Sequence, residues 1–132
     1  MYYLERAAAI DKNRPDVMAD LGVAYRLVGN FKHAELNLKK AINLQPANPH
    51  FHYNLGLVLG DQTRFDEAAE AYQNSINLSP NHTLALNNLA NILKRQNKLD
   101  DAISLYQRSI SADQNYAPAH KNLADILSLI HI

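Results

Sequence analysis

The stretch Pro49–His82, PHFHYNLGLVLGDQTRFDEAAEAYQNSINLSPNH, decides the fold, because its landmarks return at one fixed interval on both sides of it. Its Asn54-Leu55-Gly56 is matched 34 residues earlier by Asp20-Leu21-Gly22, and at later steps of the same size by Asn88-Leu89-Ala90 and Asn122-Leu123-Ala124. The same step links Ala34, Ala68 and Ala102; Phe31, Phe65 and Leu99; Leu38, Tyr72 and Tyr106; and Ile42, Ile76 and Ile110. Pro46 and Pro80 share a further column that Gln114 interrupts. Self-similarity at a period of about 20 to 50 residues is the signature of stacked repeats.

Each column has a physical reason. Apolar residues recur at helical spacing as Val17, Leu21, Ala24 and Val28, and then as Ala34, Leu38, Ala41 and Ile42, which predicts two amphipathic helices per repeat. The small residue after each Leu, and the recurrent Ala of the second helix, let paired helices approach closely. Phe31, Phe65 and Leu99 precede the second helices and are placed to fill the corner between the pair. Proline after the second helix ends it. Gly29 and Asn97 stand where a left-handed C-cap is expected, with Thr63 the poorer choice at the same place. Asp66, Glu67, Asp100 and Asp101 suit the positive end of a helix dipole, and Asn48-Pro49 reads as an N-cap followed by a first-turn proline.

Leu21, Gly22, Tyr25, Ala34, Leu38 and Pro46 together resemble the tetratricopeptide-repeat (TPR) family, and the likeness covers nearly the whole chain. The resemblance implies an all-α fold, a right-handed superhelix (solenoid) of antiparallel helix pairs. Complete repeats are expected at 15–48, 49–82 and 83–116, with 1–14 as the second helix of a preceding repeat and 117–132 as the first helix of a following one, all in one array. In the first of these partial repeats Leu4, Ala7, Ala8 and Ile10 keep register. Two columns depart from the family: Met18, His52, Leu86 and His120 stand where Trp is frequent, and Leu59, Leu93 and Leu127 replace the Tyr that Tyr25 retains.

Composition narrows the function. Thirteen basic residues balance thirteen acidic ones among 132, so no net field favours nucleic acid or an anionic membrane. No apolar run approaches the roughly 20 residues of a membrane span. Cysteine is absent, which removes thiolate chemistry and Cys-ligated metal and is compatible with any redox compartment. The N-terminus enters a helical pattern without an export signal, so the cytoplasm is the favoured location. His52 and His120 belong to a packing column, and no phosphate loop or His-Glu-x-x-His motif is present. No catalytic residue, cofactor or metal site is expected.

In stacked helix pairs the first helices line the concave side. Asn54, Asn88 and Asn122, with Asp20 before them, form a column there. An amide both donates and accepts, so the ladder suits the main chain of an extended peptide. It resembles the asparagine ladder in the TPR arm of O-linked N-acetylglucosamine transferases, although the Asn-Leu-Gly/Ala triplet is common in bacterial TPR proteins generally. The alternative is that these amides bond to neighbouring backbone or to one another. Tyr53, Asn87, Asn91, Lys94, Arg95, Lys121 and Asp125 complete the expected peptide-binding set. The carboxylate clamp of chaperone-binding relatives is not reproduced: its places hold Ala19, Val23, Leu84 and Asn88, and Asn54 alone fits.

The expected function is therefore a scaffold that binds a protein or peptide. Two alternatives stand beside it: the substrate-recruiting arm of a larger glycosyltransferase or sulfotransferase, and self-association through uncapped terminal helices. Leu127, Leu129, Ile130 and Ile132 make the C-terminal segment too apolar for a solvent cap. The tail Leu127–Ile132, LSLIHI, is also what CTGTCTCTTATACACATC encodes, a transposase adapter end, so it is expected to be foreign sequence, with a genuine helix end as the alternative.

Overall fold

The computed structural model describes residues 1–11 and 13–130, and every regular element among them is a helix. They are α1 (Tyr2–Ile10), α2 (Pro15–Leu27), α3 (Phe31–Leu44), α4 (Pro49–Asp61), α5 (Phe65–Leu78), α6 (Thr83–Arg95), α7 (Leu99–Ala112) and α8 (Ala117–Ile130). The chain divides into two compact units, Met1–Leu78 with α1 to α5 and Ser79–Ile132 with α6 to α8.

In the first unit the tight pairs are α2 with α3 and α4 with α5. Three-residue loops join them, too short for anything but antiparallel neighbours. Both loops close alike. Gly29 (φ 81°) and Thr63 (φ 57°) enter the left-handed region, and the next N–H reaches back, Asn30 N to Tyr25 O at 2.9 Å and Arg64 N to Leu59 O at 3.0 Å. Asn30 and Asn48 cap α3 and α4, accepting from His33 N at 3.3 Å and His50 N at 3.0 Å.

The core of this unit joins Met18, Ala19, Ala34, Leu38, Ala41, Phe51 and Val58. Glycine is required where the helices cross. A Cβ on Gly22 would lie 2.6 Å from Leu38 Cγ, and one on Gly56 would lie 2.5 Å from Tyr72 Cε1. These contacts are the physical content of the small-residue column. Two ties reinforce the stack from outside: Arg26 pairs with Asp61 at 2.6 Å between α2 and α4, and Arg64 joins Glu35 to Glu67.

The second unit repeats the plan with α6 against α7 and α8 against both. Asn97 (φ 61°) closes its loop, with Lys98 N bonded to Leu93 O at 2.8 Å, and His82 Nδ1 accepts from Ala85 N at 3.1 Å as the α6 cap. Ala85, Leu86, Leu89, Ala90, Ile92, Ala102, Leu105, Tyr106, Ala119 and Ile126 form its buried interior.

Some expectations need correcting. Phe31, Phe65 and Leu99 do not precede the second helices; they are their first residues, inside the first turn. Val28 is not on the apolar stripe but at the solvent-exposed C-cap of α2, because the helix ends at Leu27 before the stripe comes round again. Ile10 is exposed, as are Leu44 and Leu78 in its column. Leu127 is 44% exposed although Leu59 in its column is 3% exposed, since α5 covers Leu59 and no such second helix lies over α8 among the described residues. Of the tail, Leu127 to Ile130 continue α8, while His131 and Ile132 lie outside the described residues.

Candidate functional site

The first helices carry the candidate side chains, and the two units hold different sets. In the second unit α6 and α8 touch, and the columns of the repeat bring Asn87 and Asn91 of α6 beside Asn122 of α8. Asn122 Nδ2 donates to Asn87 Oδ1 at 3.2 Å and to Asn91 Oδ1 at 3.1 Å, using both of its hydrogens. Asn87 is 3% exposed and gives Nδ2 to Asn88 Oδ1 at 3.4 Å, so its buried amide is bonded at both ends. Asn91 Oδ1 also accepts from the Tyr106 hydroxyl of α7.

This chain fixes which way the amides face. With Asn91 Oδ1 held by two donors, its Nδ2 is the free end; with Asn122 Nδ2 divided between two acceptors, Oδ1 is the free end. Neither atom has a protein partner among the described residues. Burial, and then the nearby Asp125 carboxylate, push the Tyr106 phenol up to about 12, so it remains a proton donor throughout the physiological range. Asp125 is itself paired with Lys121 at 3.1 Å on the exposed side of α8. Lys94 and Arg95 sit in the last turn of α6.

The first unit places Asn54 and Tyr53 on α4, both half-buried. Tyr53 leans on Tyr72, with ring centroids 5.9 Å apart. Asn54 has no hydrogen-bond partner among the described residues. The reason lies in its columns: where Asn122 meets Asn87 and Asn91, the places on α2 hold Ala19 and Val23.

The amides thus divide into two kinds. Those of α6 and α8 bond one another and still retain a free donor and acceptor; that of Asn54 bonds nothing. The residue sequence reasoning missed is Tyr106, assigned only to a packing column. The available signal was a column comparison, because the third repeat sets a tyrosine near Asn91 where the second sets Tyr72 near Leu57. His52 and His120 bond main-chain carbonyls, His52 Nε2 donating to Pro46 O at 2.8 Å and His120 Nε2 to Gln114 O at 2.7 Å, and His120 is exposed rather than packed as its column suggested. Among the described residues no three His, Cys, Asp or Glu side chains converge as a metal site would need, and no helix is long and apolar enough to cross a membrane.

Comparison with known proteins agrees with this construction. Solved structures share the fold: MamA (TM-score 0.86, 22% identity, 95% of this chain and 73% of that one), the first TPR of Spaghetti (RPAP3) bound to the HSP90 peptide SRMEEVD (0.86, 20%, 92% and 97%), and PilF of Pseudomonas aeruginosa (0.88, 24%, 95% and 57%). A search of curated proteins gives no match. The tetratricopeptide-repeat sequence family matches residues 50–115, and a second TPR repeat family matches residues 24–63. With its 34-residue columns, its glycine-mediated helix crossings and these matches, the chain belongs to the tetratricopeptide-repeat family.

Proposed function

We propose that the chain is a non-catalytic module that binds a protein or peptide, and that the amides of α6 and α8 hold the partner by its main chain. The observation that carries this is the pair of free ends, Asn91 Nδ2 and Asn122 Oδ1, on neighbouring helices. One donor and one acceptor match the C=O and N–H of a peptide group. The Tyr106 hydroxyl and the Asn87 amide fix their orientation before any ligand arrives, which lowers the ordering cost of binding. Asn87 is a support in this scheme, and Asn54 offers an independent amide contact in the first unit.

Family membership supports the reading, as does the fact that a structural neighbour, the first TPR of Spaghetti, is bound to a peptide. The chemistry of that peptide does not transfer, because Ala19, Val23 and Leu84 stand where a carboxylate clamp needs polar or basic side chains. A peptide array probed with wild type and with Asn54→Ala/Asn88→Ala/Asn122→Ala tests the proposal. Losing hydrogen bonds of this kind should weaken binding about tenfold or more, across peptides of unrelated sequence. Undiminished binding by the triple variant would move the site elsewhere.

A further inference from the structure

The corresponding face of the first unit is built for a side chain. Asp20 of α2 occupies the column that holds Asn54, Asn88 and Asn122 in the other first helices, and it is the one carboxylate among them. It is exposed and has no ion-pair or hydrogen-bond partner among the described residues. The other acidic groups of α2 and α4 are paired: Asp16, one turn before Asp20, with Arg14 at 3.0 Å, and Asp61 with Arg26 at 2.6 Å. Beside Asp20 the surface is apolar. Val23 and Leu57, one column on two touching helices, are each half-buried, and Leu27 is 75% exposed. Seven residues of helix set Leu27 about 10 Å along the axis from Asp20, the length of about three residues of extended chain.

We propose that the α2/α4 face selects a partner segment carrying a basic side chain and an aliphatic one about three residues apart. The base meets the Asp20 carboxylate, the aliphatic group covers Val23, Leu27 and Leu57, and Asn54 takes a main-chain group between them. Charge complementarity commits the occupant: an acidic segment would set like charge against Asp20, and a neutral one would leave it unanswered. The inference rests on the peptide-binding reading above and adds sequence selectivity to it. The second unit reads the backbone; the first reads side chains.

Fluorescence anisotropy with labelled Gly/Ser peptides carrying one Arg and one Leu about three positions apart, beside the same peptides with Glu for Arg, tests it. The wild-type chain should prefer the Arg peptide by about fivefold or more at low salt. Asp20→Asn, which installs the residue its column already holds elsewhere, should remove that preference, and Asp20→Lys should invert it. Equal affinity for the two peptides, or a preference unchanged in Asp20→Asn, would overturn the inference. Asn91→Ala/Asn122→Ala separates the two proposals. Loss of binding in that variant with no Asp20-dependent discrimination would sink selectivity and keep main-chain recognition. Discrimination at Asp20 with binding indifferent to those alanines would do the reverse.

Discussion

The α2/α4 and α6/α8 faces are built from the same columns of the same repeat, yet they differ in chemistry. Val23, Leu27 and Leu57 make the first apolar, with Asn54 unbonded among the described residues and Asp20 the carboxylate without an ion-pair partner there. Asn87, Asn91 and Asn122 make the second an amide cluster anchored by Tyr106. The helix crossings of the first unit are fixed by other columns, Gly22 against Leu38 and Gly56 against Tyr72. Packing and the amide cluster nevertheless share one column, because Tyr106 stands where Leu38 and Tyr72 pack and also bonds Asn91.

The crossing points should give the largest stability difference between the units. A methyl at Gly56 meets the Tyr72 ring at 2.5 Å, whereas the second unit already carries Ala90 in that column. Gly56→Ala should destabilise by about 1–3 kcal/mol through overpacking. Ala90→Gly should cost about 1–2 kcal/mol, by added backbone freedom and the loss of a buried methyl. Urea denaturation read by circular dichroism compares them, and a harmless Gly56→Ala would contradict the crossing geometry.

Tyr106 distinguishes the second unit next. Tyr106→Phe removes the donor to Asn91 and should cost about 1–2 kcal/mol. Alkaline titration supplies a second reading. The folded phenol loses its proton near 12, whereas an unfolded tyrosine does so near 10. Between those values the native state keeps a proton the unfolded chain has lost, so stability should be full below pH of about 10 and fall as pH rises through this window. Tyr106→Phe should flatten that part of the slope, and an unchanged slope would place the titrating group elsewhere.

A smaller contrast lies in one buried serine column. Ser109 Oγ donates to Thr83 O at 2.9 Å, but Ser75 Oγ is buried without a partner among the described residues. Ser109→Ala should cost about 1 kcal/mol, and Ser75→Ala should be neutral or slightly stabilising, toward the Ala41 of the same column. Equal losses in thermal melts would contradict the hydrogen-bond assignment.

The helix pairs, the left-handed turns between them, the Asn48 cap and the reason for glycine at the crossings were legible in the sequence, because each depends on residues close in the chain or on one repeat step; the Asn30 and His82 caps were not read there. Thr63 even takes the left-handed turn that its column demands against its own β-branched preference. The candidate site was half legible. The column placed Asn122 among the ladder residues, but whether its amide would face solvent or another amide depended on Asn87 and Asn91 one repeat away. The Tyr106 hydroxyl was hidden because a tyrosine in a packing column looks like any other ring until its oxygen finds Asn91. Val28 misled for a simpler reason: apolar periodicity carries no mark of where a helix stops.

Peptide N-methylation is the most direct measurement of main-chain recognition by the α6/α8 amides. Methylating one backbone nitrogen of a bound peptide removes its N–H and leaves its side chains unchanged. At the peptide group held by Asn122 Oδ1, wild type should lose about tenfold in affinity while Asn122→Ala, already lacking that acceptor, loses little. Equal losses in both proteins at every methylated position would contradict the assignment.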